Sequence, residues 1–215
     1  MTKVAILGSG TVGDALAKGF LGDGHQVMRG TREPAKLAAW QKEAGANASV
    51  GTFADAAAWG ELVVLAVKGT AAEACVDQAG AKNLAGKTVI DATNPIADAP
   101  PDHGVLRYFT TFDQSLMERL VARAPEANFV KAFSCVGNAF MVRPDFGGAR
   151  PSMFICGDSD AAKAEVGKLL DAWGWETEDM GGAASARAIE PLCILWCLPG
   201  FLKNDWAHAF KVLRK

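Results

Sequence analysis

The chain opens with a short apolar run that leads directly into spaced glycines. Lys3–Leu7 has the length and the continuous apolar character of a buried strand, and Ala15–Leu21 has a helix-favouring composition. Gln26–Met28 is a second short strand-like run. A strand, a helix and a second strand in this order predict a βαβ unit, which holds its two strands parallel. This opening restricts the chain to folds built on a parallel sheet.

The same alternation continues through most of the chain. Leu62–Val67 is apolar at every position, which is typical of a central parallel strand covered on both faces. Further strands are predicted over Thr88–Ile90, Phe129–Phe133 and Ser152–Cys156, and helices over Pro34–Ala44, Ala54–Trp59, Ala71–Ala81, Ser115–Ala124 and Ala161–Trp173. The predicted class is therefore α/β, with a doubly wound, mainly parallel sheet.

The strand pattern ends near Ala183. Ala186–Leu198 and Asn204–Leu213 are predicted as helices, separated by a break at Pro199–Gly200. No linker, low-complexity tract or repeat marks a sharp boundary. We therefore predict a nucleotide-binding α/β domain over residues 1–182 and a C-terminal helical segment over residues 183–215.

Composition narrows the possible partners. The chain has 215 residues, of which half are hydrophobic and 21% charged, and this balance predicts one folded domain of ordinary size. Lysines and arginines number 22 against 24 acidic residues, so no overall positive field exists to attract nucleic acid or anionic lipid. The longest apolar stretch, Leu192–Leu202, is shorter than the roughly 20 residues that cross a bilayer. A soluble protein without nucleic-acid or membrane partners is predicted.

Cysteine usage indicates a reducing compartment. Five cysteines are scattered and lie mostly in apolar runs, and no export pattern is visible at the start of the sequence, which together predict a cytoplasmic protein. Cys193 and Cys197 are four residues apart and would supply half of a metal site. No second pair completes it, so we interpret them as core thiols and predict no metal.

The glycines after the first strand carry the strongest functional pattern. Gly8-Ser9-Gly10-Thr11-Val12-Gly13 fits G-x-G-x-x-G, which is weak evidence alone but here follows a strand and opens a helix. In that context the glycines permit a tight turn and close approach of a pyrophosphate, which the helix N-terminus attracts. A dinucleotide site is predicted; the alternative is a glycine turn without a cofactor.

The end of the second strand distinguishes the two nicotinamide dinucleotides. An NAD site places an acidic residue there, whereas this chain has Thr31 and Arg32, with Lys36 one turn further on. Glu33 is interpreted as a helix-start residue. Thr31, Arg32 and Lys36 suit a 2′-phosphate, which favours NADP over NAD. The alternative is that Arg32 and Lys36 are solvated surface charges.

Two later strand ends should reach the same crevice. We expect contacts with the nicotinamide half from Ala66, Val67 and Lys68 and from Asn94 and Pro95, although Lys68 also suits an exposed charge and Asn94–Pro95 a plain turn.

Residues suited to acid and base catalysis are scarce. None of His25, His103 and His208 has a carboxylate at a useful spacing, and only His103 is a weak catalytic candidate. Hydride transfer between two bound rings depends on alignment rather than on a proton donor, so we predict no catalytic side chain.

Three further segments, together with these motifs, resemble the coenzyme F420-dependent NADP oxidoreductase family, whose coenzyme is a deazaflavin. The segments are Phe129–Ala139, Met153–Asp160 and Met180–Leu192. The likeness spans most of the chain and is shared with the NADPH-binding domains of membrane ferric reductases. The stretch Ile96–Phe109 departs from the family pattern.

The resemblance implies a Rossmann-type NADP-binding domain extended by later strands. It also implies C-terminal helices that help to form an acceptor pocket, and a homodimer. By motif, Ser9, Thr11 and Val12 would touch the pyrophosphate, and Ala132 and Cys135 would approach the nicotinamide.

These observations predict an NADP(H)-dependent oxidoreductase that passes a hydride to or from a planar acceptor, with coenzyme F420 the first candidate. A flavin, a quinone, a ferric chelate or a small carbonyl compound are alternative acceptors. A different class, a non-catalytic NADPH sensor, would signal through the C-terminal helices. Leu192–Leu202 would then be a partner-binding face, although a dimer core is the simpler interpretation.

Overall fold

The computed structural model describes all 215 residues. The strands are β1 (Lys3–Leu7), β2 (Gln26–Gly30), β3 (Ala48–Gly51), β4 (Leu62–Leu65), β5 (Thr88–Asp91), β6 (Asn128–Lys131), β7 (Ser152–Ile155) and β8 (Glu176–Asp179). The helices are α1 (Thr11–Gly22), α2 (Ala38–Ala44), α3 (Phe53–Trp59), α4 (Gly69–Ala79), α5 (Ala81–Leu84), α6 (Leu116–Arg123), α7 (Asp160–Ala172), α8 (Ala186–Ile189) and α9 (Leu192–Lys203). Short 3₁₀ turns cover Pro34–Leu37, Asn138–Phe140 and Ala183–Ser185.

The first six strands form one parallel sheet in the order β3-β2-β1-β4-β5-β6. In β1, Leu7 lies opposite Gly30 of β2 on one side and Leu65 of β4 on the other. The chain winds outward from β1 in both directions, so β1 and β4 form a switch point. At such a point a crevice opens beyond the carboxyl ends of the strands. The predicted Rossmann-type α/β fold is confirmed.

Helices cover both faces of this sheet. Phe20 of α1 and Leu170 of α7 pack on one face, and Val76 of α4 and Leu120 of α6 pack on the other. The central strand β4 contributes alternate side chains to the two layers, and all four of its residues are buried. Its continuous apolar sequence is therefore a consequence of being covered on both sides.

Strands β3 and β8 have sequences that do not predict strands. Strand β3, Ala48–Gly51, is a short edge strand, and β8, Glu176–Asp179, consists of charged and polar residues. Strand β8 forms by parallel pairing with β7, where Glu178 lies opposite Phe154. The β7–β8 pair meets the main sheet through one antiparallel bridge between Cys156 and Lys131. Tertiary pairing, rather than local hydrophobic pattern, determines both strands.

Two helix predictions are corrected. Pro34–Ala44 is not one helix, because its first turn is 3₁₀ and α2 begins at Ala38. Asn204–Leu213 is not helical, and Pro199–Gly200 lies inside α9 instead of ending it. The helix ends at Asn204, which has a left-handed φ of 54°.

Tertiary contacts explain why the tail leaves the helical conformation. The Trp206 ring packs directly on Gly200, where a Cβ would lie 2.3 Å from the ring. The Trp196 indole N–H donates to the carbonyl of His208 at 2.8 Å, and the Ser152 N–H of β7 donates to the carbonyl of Phe210 at 2.8 Å. The tail therefore runs back alongside β7. The division at residue 182 stays a prediction.

The C-terminal helices are apolar as well as helical. By length and composition alone, the 21 residues Ala183–Lys203 would suffice to cross a membrane, and they are only partly buried in the fold. Core helices of soluble proteins meet the same criterion, so the soluble, cytoplasmic assignment stays a prediction.

Candidate cofactor site

A cleft of about 310 Å³ opens beyond the carboxyl ends of β1, β2 and β4. Eight residues predicted from the sequence line it: Ser9, Gly10, Thr31, Arg32, Lys36, Ala66, Val67 and Lys68. Six others complete the lining: Glu33, Phe53, Ala71, Ala74, Cys75 and Gln78. Most of this second group comes from α3 and α4, whose facing sides only the fold brings together. The predicted crevice and its main lining thus coincide with a real cavity.

The glycine loop has a tight side and an open side. Gly8 has a φ of +149°, and a Cβ there would stand 2.3 Å from the Ala66 carbonyl oxygen. A Cβ on Gly13 would lie 3.0 Å from the Gly8 carbonyl oxygen. Around Gly10, by contrast, nothing lies within 4 Å of a built Cβ. The loop is therefore pressed against β4 while its outer surface is accessible.

This open side coincides with the start of α1. Gly10 is the N-cap residue and has no side chain with which to cap the helix. Thr11, Val12 and Gly13 form the first turn of α1 and do not themselves line the cleft. Backbone N–H groups at an uncapped helix start bind anions well, because the helix dipole adds a partial positive charge. The loop fits the diphosphate of a dinucleotide.

Arg29 is a feature that the sequence analysis missed. It lies in β2 below the loop, is 2% exposed, and donates to the carbonyl oxygens of Gly8 and Gly10. Burial lowers the pKa of its guanidinium, and Asp14 opposes that effect. Because arginine stays protonated in proteins, a positive charge lies directly under the loop. Its position within an apolar strand is the signal that could have identified it.

The adenosine end of the cleft carries cationic side chains. Lys36 pairs with Glu33 at 2.8 Å, and both side chains are exposed. The hydrogen bond from Lys36, followed by the charges of Lys36 and Arg32, lowers the pKa of Glu33. Glu33 is therefore ionised at neutral pH, so the structure adds an acidic group to the predicted phosphate site.

Arg32 and Cys75 both line the same cleft. Burial raises the pKa of Cys75 in α4 to about 12, while the positive charge of Arg32 acts in the opposite direction. The Cys75 thiol is therefore neutral at physiological pH and lines the cleft as an uncharged group. Thr31 is buried, and its hydroxyl accepts from the Glu33 N–H at 3.4 Å. Lys68, at the start of α4, forms an exposed ion pair with Asp98.

Of the residues predicted for the nicotinamide end, Ala66, Val67 and Lys68 line the cleft. The others, Asn94, Pro95, Ala132 and Cys135, follow β5 and β6 and lie outside the cleft lining. Ala132 and Cys135 are buried, and burial raises the pKa of Cys135 to about 12. The Asn94 amide donates to the Ser134 carbonyl oxygen at 2.8 Å, which joins the two strand ends. Asn94 Oδ1 and Ser134 Oγ are buried without a hydrogen-bond partner. These polar atoms suit the carboxamide of a nicotinamide ring.

Asn94 and Pro95 also contact the cleft wall. Gly69, which follows Lys68, lies so close that a Cβ there would be 1.9 Å from the Asn94 carbonyl oxygen. The end of β5 and the start of α4 are therefore in direct backbone contact. Whether Asn94, Pro95, Ala132 and Cys135 bind the cofactor stays a prediction.

A buried ionic cluster lies behind this end of the sheet and was also missed. Lys131 Nζ lies 2.6 Å from Asp91 Oδ2 and 2.9 Å from Glu190 Oε1, and it donates to the Thr93 carbonyl oxygen at 2.9 Å. Lys131 and Asp91 are fully buried, and Glu190 is 2% exposed. Burial alone would lower the pKa of Lys131, but the two carboxylates together raise it.

Glu190 links this cluster to two further elements. Its carboxylate accepts from the N–H groups of Leu116 and Met117, both at 3.0 Å, at the start of α6. It also lies between α8 and α9. The cluster therefore ties the C-terminal helices to the strand ends that precede Asn94 and Cys135.

The histidines lie away from the cleft. His103 is 96% exposed, has a φ of 50°, and lies 3.7 Å from Asp102 in the loop between β5 and α6. His25 accepts from the Thr2 N–H, and His208 stacks on Trp196. All five cysteines are free, and no group of three or more potential ligand residues is close enough to hold a metal ion.

A doubly wound sheet, a glycine loop opening an uncapped helix and a cationic adenosine end define the Rossmann-type dinucleotide-dependent enzymes as a class. The family described as "NADP oxidoreductase coenzyme F420-dependent" matches residues 3–95. A solved structure from Arthrobacter sp. FB24, named as a candidate F420-dependent NADP reductase, is 35% identical, with full coverage of both chains and a TM-score of 0.92. The chain belongs to the coenzyme F420-dependent NADP oxidoreductase family.

Two other relatives are similar to most of this chain. SMa0349, a hypothetical protein from Sinorhizobium meliloti, is 28% identical over 86% of this chain and 88% of its own, with a TM-score of 0.73. Metalloreductase STEAP3 from Rattus norvegicus is 32% identical over 93% of this chain. The chain spans 39% of the length of that metalloreductase. The family match and the Arthrobacter sp. FB24 structure together identify an NADP-dependent oxidoreductase.

Proposed function

We propose that the chain transfers a hydride between NADP(H) and a planar redox acceptor, with coenzyme F420 as the first candidate. The observation that carries the proposal is the open side of the glycine loop, where Gly10 leaves the start of α1 uncapped beside the cleft. Thr31, Arg32 and Lys36 lie at the adenosine end of the same cleft. One cavity therefore combines groups for a diphosphate and for a 2′-phosphate.

In this proposal, the chain's own residues bind the cofactor and orient its nicotinamide ring. The loop holds the diphosphate, and the buried strand ends around Asn94 and Ser134 orient the nicotinamide amide. Phe133, Cys135 and Val136 are buried at the same end, which keeps water from the reacting face. When bound, NADPH supplies the hydride; no acid or base from the protein is required for that transfer.

The direct test of the acceptor mixes purified protein, NADPH and the oxidised deazaflavin. We expect the absorbance of both compounds to fall together, with one NADPH consumed per deazaflavin reduced. NADPH binding without turnover across a broad pH range would reject this acceptor and leave the cofactor assignment intact.

A ferric chelate is the second candidate acceptor, and the similarity to the rat metalloreductase favours it. The same assay with ferric citrate or ferric EDTA and added flavin, followed by ferrous iron capture with a coloured chelator, separates the two acceptors. The flavin would accept the two-electron hydride and pass one electron to each of two ferric ions. Reduction of the ferric chelate without turnover of the deazaflavin would support this second function.

A further inference from the structure

Arg29 carries a charge in a place where charges are costly. Its side chain is 2% exposed, and its neighbours along β2 are the apolar Met28 and the small Gly30. A buried charge needs hydrogen bonds and compensating groups. Its contacts therefore indicate what the residue does.

Most of those contacts are with the glycine loop. Arg29 Nη2 donates to the Gly10 carbonyl oxygen at 3.0 Å and to the Gly8 carbonyl oxygen at 3.3 Å, and Nε lies 3.4 Å from the same Gly8 oxygen. The guanidinium also lies over the Trp40 ring, 4.9 Å from its centroid. The planar, rigid guanidinium of Arg29 thus holds two carbonyls of the loop in place.

Fixing these carbonyls also fixes the direction of two N–H groups. In a trans peptide the N–H points opposite to the C=O, and the chain has no cis peptide. The N–H groups of Ser9 and Thr11, which belong to the peptides of the Gly8 and Gly10 carbonyls, therefore point away from Arg29. Neither donates to a carbonyl in the turns, loops or caps. Both are free for an anion on the open side.

The charge itself is only partly neutralised. Asp14 lies 3.3 Å from Arg29 Nη1, but its side chain is 32% exposed and also pairs with Lys18 at 2.8 Å. A net positive charge therefore lies below the loop, on the opposite side from the open surface.

We propose that Arg29 is the positioning residue for the cofactor diphosphate: it holds the Gly8 and Gly10 carbonyls inward, turns the Ser9 and Thr11 N–H groups outward, and adds positive charge beneath them. The inference rests on the proposed NADP site. It assigns the diphosphate affinity to a side chain that lies outside the cleft lining.

The test compares two ligands in variants Arg29→Met, Arg29→Lys and Arg32→Met. NADP⁺ contains the diphosphate, whereas adenosine 2′-monophosphate occupies only the adenosine end. We expect Arg29→Met to weaken NADP⁺ binding about tenfold or more and to change the affinity for adenosine 2′-monophosphate by less than about twofold. Arg32→Met should weaken both ligands. Isothermal titration or competition against NADPH fluorescence measures the affinity of the wild type and of each variant for both ligands.

Arg29→Lys keeps the charge but loses the planar guanidinium that donates to both carbonyls. We therefore expect its NADP⁺ affinity to lie between those of the wild type and Arg29→Met. If Arg29→Met does not fold, selective NADP⁺ weakening in Arg29→Lys supports the proposal. NADP⁺ affinity within about twofold of wild type in the folded variants would overturn it, as would equal weakening of both ligands. Failure of the wild type to bind NADP⁺ would instead reject the cofactor site itself.

Discussion

Gly8 and Gly10 have opposite requirements, although they belong to one motif. Gly8 is pressed against the Ala66 carbonyl and has a φ that L side chains rarely adopt, whereas Gly10 faces open space. The fold requires the first, and the proposed contact with the diphosphate requires the second. The motif alone does not separate these roles; the neighbouring strand does.

We expect Gly8→Ala to destabilise the protein by at least about 2 kcal/mol, because both the backbone conformation and the contact with Ala66 become unfavourable. Gly10→Ala should leave stability within about 0.5 kcal/mol and weaken NADPH binding by about tenfold, because its methyl group occupies the open side of the loop. Denaturant unfolding and NADPH titration of both variants measure the two effects. Equal stability losses in the two variants would contradict this division.

Glu118 is a second carboxylate, besides Glu190, that links α6 to α8. Glu118 completes a capping box with Ser115 and pairs with Arg187, whose Nε lies 2.9 Å from Glu118 Oε2. The hydrogen bond from Arg187 is the main favourable contact that lowers the pKa of Glu118 to about 2. A carboxyl group with a lowered pKa in the folded state stabilises the protein above its unfolded-state pKa.

We therefore expect a loss of stability as the pH falls from about 4.5 toward 2, since protonation of Glu118 then removes its contacts with Arg187 and Ser115. Glu118→Gln should be less stable than wild type at pH 6, and the difference should shrink through this pH window. Thermal unfolding at a series of pH values measures it. A constant difference between the two proteins down to pH 2 would rule out the assigned role.

The buried cluster around Lys131 joins β5, β6, α6 and the C-terminal helices. Lys131→Met should cost about 3–5 kcal/mol, because it leaves the carboxylates of Asp91 and Glu190 buried without their cation. Lys18→Met is the matched control, since its ion pair with Asp14 is on the surface and should contribute less than about 0.5 kcal/mol. Urea unfolding compares them, and similar losses in both variants would contradict the cluster's importance.

Much of the sheet could be predicted because β4, and β1 after the exposed Lys3, are buried on both faces and are therefore apolar. Strand β8 could not, because its charged and polar residues form a strand by pairing with β7, and the buried Glu178 is paired with Arg214 from the distant tail. The helix predicted for the tail was wrong for the same reason, because the contact of Trp206 with Gly200 outweighs the local helix propensity. Likewise, the spacing of the motif was enough to predict Thr31 and Arg32 as site residues. Arg29 could be recognised only from the fold, which shows that its side chain lies beneath the loop.

The assembled molecule has an apolar surface on one side of α9. Leu195, Phe201 and Leu202 are 56%, 44% and 58% exposed, and Val105 of the neighbouring loop is 44% exposed. We propose that this surface forms a homodimer contact, as expected for a contiguous apolar patch.

Leu202→Glu should therefore shift the protein from dimer to monomer, because the new charge would be buried in the contact. Leu213→Glu is the control, since Leu213 is 85% exposed in the tail. Light scattering after size-exclusion chromatography measures the mass. A monomeric wild type at tens of micromolar would reject the dimer.

We propose that the cleft beyond β1 and β4 binds NADP(H) with its 2′-phosphate on Arg32. Equilibrium titration of the wild type and Arg32→Ala with NADPH and NADH tests it, with Lys42→Ala as a surface control. We predict saturable binding with a preference for NADPH that Arg32→Ala reduces by about tenfold or more and Lys42→Ala leaves unchanged. No saturable binding, or equal affinity of the wild type for both dinucleotides, would contradict the account.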